Sequence, residues 1–441
     1  MIRQALTRAV LPLWLALSLP LAANAIEIQE VTSPGGIDAW LVEEHSIPFV
    51  AIDIQFQGGA SLDPKDKRGA INLMTGLLEE GSGEMDARAF AEAREDLAAS
   101  YSFDTGDDSV SVSARFLSEN RDQAVALLRQ ALTDPRFDED AIERVRRQVL
   151  SIIASSAKDP QDIAARTFDR LAFGDHPYGS ASIGTAQSVA ALDRGDLLAA
   201  HQAVLARDRV FVGVAGDITA EDLRQLLDDL LGALPETGAP MPPRAEYQLT
   251  PGVTVVPYET PQSVALFGHE GLDRHDPDFF TAYVMNHILG GSGFESRLMT
   301  EVREKRGLTY GVGSFLAPKD LGALYVGQVA SSNDRIAEAV SVIRDQWGTL
   351  ARDGVTADEL RDAQTYLTGA YPLRFDGNGR IAGILSGMQM TGLPTSYIDT
   401  RNDQINAVTL DDVKRVAKRL LRPEDLGFVV VGQPENLDTD G

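Results

Sequence analysis

The strongest constraint on the fold is a repeat. Val189-Ala190-Ala191-Leu192, followed by Asp196-Leu197 and ending in Val212-Gly213-Val214-Ala215-Gly216, returns without a gap 216 residues later. The second copy reads Ile405-Asn406-Ala407-Val408, Asp412-Val413 and Phe428-Val429-Val430-Val431-Gly432. In both copies the pattern predicts an acidic N-cap, an amphipathic helix and a short β-branched strand ending at glycine. Two homologous halves are the economical explanation. The run from Leu234 to Pro243, rich in Pro and Gly and without helical or strand period, reads as the start of a linker between them. The expected division is therefore residues 26–233, a linker at 234–251, and residues 252–441.

The order of patterns also recurs within each half. The first half shows strands at 39–42 and 49–55, helices at 67–80 and 87–99, a strand pair at 101–103 and 110–116, and helices at 121–132 and 139–157. The second shows strands at 253–256 and 263–268, helices at 279–289 and 296–304, strands at 309–315 and 322–329, and a helix at 335–351. Mixed elements in this order predict an α+β fold, two α/β-sandwich halves in which a sheet is covered by helices.

Composition narrows the chemistry. With 65 acidic against 40 basic side chains and a net charge of -25, the chain is a poor binder of nucleic acid, whose recognition rests on Lys and Arg at phosphates. Basic or neutral peptides suit it better. There is no cysteine, so a metal could be held only by His and carboxylates, and only six His are available. His45, His176, His201, His269, His275 and His287 form no pair at helical spacing, and each reads as a surface or capping residue. Arg3 and Arg8, the apolar run 9–22 and Ala23-Asn24-Ala25 form an export signal with cleavage expected after Ala25, which places the mature chain in a periplasm. The run is interrupted by Pro12 and Pro20 and is short for a membrane span, and no later stretch qualifies.

The segment Gly69-Ala70-Ile71-Asn72-Leu73-Met74-Thr75-Gly76-Leu77-Leu78-Glu79-Glu80-Gly81-Ser82 resembles the first helix of the pitrilysin/insulinase family of zinc peptidases, whose signature there is His-x-x-Glu-His. Gly58-Gly59-Ala60-Ser61-Leu62-Asp63-Pro64 and His176-Pro177-Tyr178-Gly179 are similar to the family's surroundings, and the likeness extends over the whole mature chain. It implies that Asn72 stands at the first His ligand, Thr75 at the catalytic Glu, and Gly76 at the second His. It also implies that Ile152, within one residue, stands at the third ligand, a Glu. Two imidazoles at i and i+4 and a carboxylate one turn away are what a zinc hydrolase needs. Asn, Thr, Gly and Ile supply none of them.

The second half resembles the family's C-terminal signature over Gly290-Gly291-Ser292-Gly293 through Arg303-Glu304-Lys305-Arg306-Gly307-Leu308-Thr309-Tyr310. The resemblance implies that Arg303 and Tyr310 help bind substrate and stabilise the transition state. Leu298, Met299 and Val302 give one apolar face, Gly307 suits a left-handed stop, and Tyr310 should begin a strand. Taken alone, Arg303 is a solvated arginine in a charged run. Gly290, Gly291 and Gly293 lack the strand-turn-helix context of a phosphate loop and suit either a hinge at a peptide chamber or a plain turn.

Two functions follow as expectations. The family resemblance implies a subunit without a cofactor of its own, paired with a homologous zinc-bearing partner in a heterodimeric peptidase. The alternative is a peptide-binding or scaffold protein with the family chamber and no peptidase role. A self-sufficient serine hydrolase is not supported, since there is no Gly-x-Ser-x-Gly and no ordered Ser, His and Asp.

Overall fold

The structure is a computed structural model that describes residues 27–438; the expected export segment lies outside them. The first half opens with β1 (Gln29–Thr32), β2 (Asp38–Glu43), β3 (Phe49–Gln57), α1 (Ala70–Thr75) and a small ribbon of β4 (Gly81–Ser82) with β5 (Met85–Asp86). It continues through α2 (Ala87–Asp96), β6 (Ser100–Thr105), β7 (Ser109–Leu117), α3 (Arg121–Thr133), α4 (Glu139–Ser156) and α5 (Pro160–Phe173). It closes with α6 (Ala186–Ala191), α7 (Arg194–Val204), β8 (Val210–Gly216) and α8 (Ala220–Leu231). Residues 235–250 carry no helix or strand. The second half holds β9 (Gly252–Pro257), β10 (Gln262–Glu270), α9 (Phe279–Asn286), β11 (Val312–Lys319) and β12 (Gly322–Ser332). After these come α10 (Ile336–Asp353), α11 (Ala357–Gly369), α12 (Asn378–Met390), α13 (Tyr397–Asn406), α14 (Leu410–Leu420) and β13 (Gly427–Gly432).

The two sheets share one strand order. The first runs β1-β2-β8-β3-β7-β6 and the second β9-β13-β10-β12-β11, so every strand except the edge strand β1 has a counterpart. β2 with β8 and β9 with β13 are parallel, and the other neighbours are antiparallel. Val214 lies opposite Ile52, and Val430, 216 residues on, lies opposite Ala265. Asp193 and Thr409 cap α7 and α14, and Asp196 and Asp412 complete the capping boxes from N3. The repeated aspartate is thus the N3 residue, and the second cap is a threonine, where the sequence pattern placed an acid.

Each sheet packs one face on helices of its own half. Ile54, Phe56, Leu73, Leu128 and Val214 belong to the first core, and Phe267, Val284, Ile343, Trp347 and Val430 to the second. The other faces are covered by exchange. α5 of the first half packs on β10 and β13, and α12 of the second half packs on β3 and β8. The strand period of two sorts the side chains accordingly: Phe428 and Val430 face the second half's own core, while Val429 and Val431 meet Phe168, Phe173 and Tyr178 in a third cluster. On the first sheet, a Cβ at Gly213 would stand 2.1 Å from the Ala382 carbonyl oxygen, so only glycine lets α12 lie this close. Ser386 Oγ donates to Asp53, and Gln389 Nε2 donates to the Val212 carbonyl at 2.7 Å.

A polar seam joins the halves as well. The Tyr178 hydroxyl donates to Asp108 and accepts the Leu321 N–H at 2.9 Å, and Lys319 Nζ lies 2.5 Å from Asp107 and 4.2 Å from the Tyr178 ring centre. Among the described residues no helix is long and apolar enough to cross a membrane.

Three sequence expectations differ from the structure. The helix expected over 67–80 is α1 alone. Gly69, at φ 89°, blocks its extension backwards, and beyond Gly76 the chain continues as i→i+3 turns. The helix expected to 99 ends at Asp96, with Ala98 at φ 49°. The helices expected from the sequence patterns do not include α5, α6, α8, α11, α12 or α13.

The exchange makes a prediction. Gly213→Ala should destabilise the chain by about 2–3 kcal/mol or more, because backbone, not a flexible side chain, must give way. Gly387→Ala on the same α12, whose Cβ meets nothing within 4 Å, should stabilise by roughly 0.5–1 kcal/mol. Urea unfolding of both variants checks this, and equal effects would contradict the packing.

Candidate functional site

α1 is placed by its N-terminal neighbours. Asp63 accepts the Gly69 N–H at 2.7 Å and the Ile71 N–H at 2.9 Å, capping the helix start. The Arg68 guanidinium lies 3.8 Å from Asp63 and donates to the carbonyls of Ala60, Pro177 (3.2 Å) and Ser180 (3.1 Å). A buried arginine thus ties segments 58–64 and 176–180 to the front of α1. Burial pushes the Asp63 carboxyl up to about 6, against the Ile71 N–H, the Arg68 charge and the Gly69 N–H, which lower it.

The positions on α1 that the family resemblance assigns to the metal site carry neither imidazole nor carboxylate. The buried Thr75 hydroxyl donates to the Ile71 carbonyl at 2.8 Å and accepts from Thr105 Oγ1 at 2.8 Å, so it is a link to β6 rather than a base. Asn72 is half-buried. At Gly76 an added Cβ would lie 3.3 Å from Val145 Cγ1 of α4, tight for any larger residue. Farther along α4, Val145 and Val149 face the core while Ile152 is 53% exposed and offers no donor atom. These residues do not fit zinc, and among the described residues no group of three or more His, Asp or Glu could hold a metal ion.

The histidines have other duties. His176 Nδ1 accepts the Tyr178 N–H at 3.2 Å as a cap, and His45 pairs with Asp217 at 2.7 Å on the surface. His201 and His269 are buried, which corrects the surface or capping reading. His201 bonds the Leu132 carbonyl, and His269 Nε2 accepts the Trp347 indole N–H at 3.1 Å.

The second half builds a separate element around β11. The segment Met299–Glu304 is a π-helix, in which Lys305 N–H bonds the Thr300 carbonyl at 3.0 Å. Leu298, Met299 and Val302 face inward, and Arg303 is half-buried. Gly307, at φ 61°, turns the chain while its N–H bonds the Arg303 carbonyl and the Leu308 N–H bonds Val302. Thr309 Oγ1 donates to the Ala330 carbonyl at 2.6 Å and accepts the Gly311 N–H at 3.0 Å. Tyr310 lies in this braced bend and is 87% exposed; the strand begins two residues later, at Val312, not at Tyr310 as its pattern suggested.

The glycine cluster belongs to the same element. Gly290 and Gly291 end a second π-helical stretch, His287–Gly291, and a Cβ at Gly290 would stand 2.3 Å from Ser314 Oγ of β11. Close packing on β11 is the role of Gly290, and only Gly293, at φ 61° with open space around it, has a turn's freedom. The structure therefore gathers the glycines and the Arg303–Tyr310 segment about β11, and Asn72, Thr75 and Gly76 about α1 and α4. Sequence reasoning missed the Asp63–Arg68 brace, since one buried ion pair leaves no periodic trace.

A duplicated α+β chain with family surroundings about an emptied zinc motif defines a zinc-peptidase relative that lacks its own metal ligands. Comparisons with known proteins agree. Residues 39–186 match the model of the insulinase family, peptidase family M16, and residues 191–367 match that of the peptidase M16 inactive domain. The chain belongs to the M16 family. A Helicobacter pylori protein named "Non-peptidase homolog YmxG" is 27% identical over 96% of this chain and 98% of its own. A Mycobacterium tuberculosis protein named as an uncharacterized zinc protease is 28% identical over 90% of this chain and 92% of its own. The crystal structure of a peptidase M16 inactive domain from Pseudomonas fluorescens superposes with a TM-score of 0.87 and 28% identity, covering 94% of this chain and 99% of that one.

Two outcomes follow. The triple variant Asn72→His, Thr75→Glu, Gly76→His should still bind no stoichiometric zinc, because Ile152 supplies no third ligand and Val145 crowds position 76. Elemental analysis checks it, and one tightly held zinc per chain would contradict it. The second outcome concerns Asp63, which keeps its proton to about 6 when folded and releases it near 3.8 when unfolded. Its contribution to stability is complete below the lower value and declines as pH rises through the upper one. Urea unfolding of wild type and Asp63→Asn should show the stability difference moving against wild type by about 2 kcal/mol between pH 4 and 7. A constant difference would show that Asp63 titrates normally.

Proposed function

We propose that this chain is the non-metal-binding subunit of a heterodimeric zinc peptidase and that it contributes Arg303 and Tyr310 to an active site completed by a homologous zinc-bearing partner. The reading is supported by an M16 frame in which the family resemblance puts Asn72, Gly76 and Ile152 at the ligand positions and Thr75 at that of the catalytic Glu, while the second half holds Tyr310 outward on a braced loop. The metal and its activated water belong to the partner. On this side, the Tyr310 hydroxyl donates to the oxyanion that develops on the peptide carbonyl, a contact that strengthens in the transition state. Arg303 orients the substrate backbone. Peptides are the substrate class, and the reading includes export to the periplasm, where the two chains would meet.

A second reading has its own support in the Helicobacter pylori relative, whose name denies it peptidase activity. In that case the chain binds peptides or serves as a scaffold. Co-purification separates the two: a metal-bearing M16 homologue recovered in a stable one-to-one complex favours the peptidase, and its absence favours the scaffold.

In such a heterodimer, Tyr310→Phe should lower kcat by roughly 10² to 10³, the usual loss for one oxyanion donor, without weakening assembly. Arg303→Ala should affect KM and kcat together, since it also removes ground-state contacts. Steady-state cleavage with the substitutions in this chain alone is the test. Activity within about twofold for both variants, under ~0.5 kcal/mol in barrier, would remove this subunit from the chemistry.

A further inference from the structure

Three arginines without an ion pair line a single cavity of this acidic chain. α12, the turn before it and the start of α13 enclose a cavity of about 520 Å³ whose wall carries Arg274, Arg374 and Arg380 beside Tyr371 and Tyr397, over Met388. That volume lies in the range of small-molecule and peptide-segment sites. Among the described residues none of the three arginines forms an ion pair. The acids closest to Arg274 in sequence are already committed: Asp273 to Arg244 at 2.8 Å, Asp276 to Arg419 at 2.6 Å, and Asp278 to Arg415 and Arg419 at 2.9 and 2.6 Å. Asp376 and Asp399, which flank the cavity in sequence, make no ion pair with these arginines.

The aromatic rings explain how the charge is held. The Arg274 guanidinium lies 4.3 Å from the Phe279 ring centre and 5.3 Å from that of Tyr397, and Arg401 lies 4.2 Å over Tyr371. A guanidinium seated by its flat face keeps its N–H edge for a ligand in its plane. Arg374 and Arg380 are exposed at the rim, so an entering anion meets them first.

We infer that this cavity is a carboxylate-binding site, taking an acidic group carried on an apolar body. Planar guanidinium groups pair with carboxylates through two parallel hydrogen bonds, and Met388 and Leu393 offer the apolar contact. The carboxylate could come from the side chain of an acidic peptide or from a free small acid. The assignment concerns this chain alone and stands apart from any zinc-bearing partner.

Calorimetric titration of the mature chain with acetyl-Leu-Glu-Leu-amide, its Gln counterpart and citrate tests it. The Glu peptide should bind at least ~10-fold more tightly than the Gln peptide and weaken as salt is raised. R374Q/R380Q, both at exposed positions, should lose roughly 10-fold or more in affinity with an unchanged melting temperature, and Arg274→Gln should lose a comparable factor. Citrate binding more tightly than the Glu peptide supports the site with a free acid as its source, and the reverse order supports it with a peptide side chain as the source. Equal affinity for the Glu and Gln peptides without citrate binding, no loss of carboxylate binding in the arginine variants, or no binding of either carboxylate at millimolar concentration would overturn the assignment.

Discussion

The exchange of α5 and α12 is the contact on which the rest of the structure depends. A mixed sheet with apolar side chains on both faces needs cover on both, and here each half supplies the other's second layer. Val429 and Val431 share an apolar cluster with Phe168 and Phe173 of α5, and Gly213 as glycine admits α12. The halves are therefore one cooperative body despite a connection without helix or strand. The positions of α1 and of β11 are fixed relative to one another by that same packing.

Much of this was legible in the sequence, for a physical reason. Repeated strands keep their period of two, and repeated helices keep their capping boxes, so Val212–Gly216 and Phe428–Gly432 announce a duplication whatever else has diverged. The exchange was not legible. A periodic pattern reports which residues are buried, not against which element, and the run Phe428–Val431 reads equally as a strand within one half. α5 did carry a signal in Asp159 and Pro160 at its start and in Ala164, Phe168 and Ala172 along one face. The π-helical turns around Gly290 and Arg303 were hidden because a one-residue insertion into a helix barely disturbs its apolar stripe.

The two candidate elements have diverged differently from the zinc-peptidase pattern. Around α1 the frame remains, with Arg68 gathering three carbonyls and Asp63 capping the helix, while Thr75 bonds β6 and Ile152 turns a methyl surface to solvent. Around β11 the loop is braced by Thr309, Gly307 and Arg335, whose guanidinium bonds the Gly307 carbonyl at 2.9 Å, and Tyr310 is left exposed.

That contrast is the basis for reading the chain as half of an active site, and its most direct test is a measurement of zinc and peptide cleavage. The purified chain would be assayed alone, then with a metal-bearing M16 homologue from the same cell. The account predicts no bound zinc and no cleavage by the chain alone, one zinc per heterodimer in the mixture, and cleavage well above that of the homologue alone. Zinc-dependent cleavage by this chain alone, or a homologue equally active without it, would contradict the account.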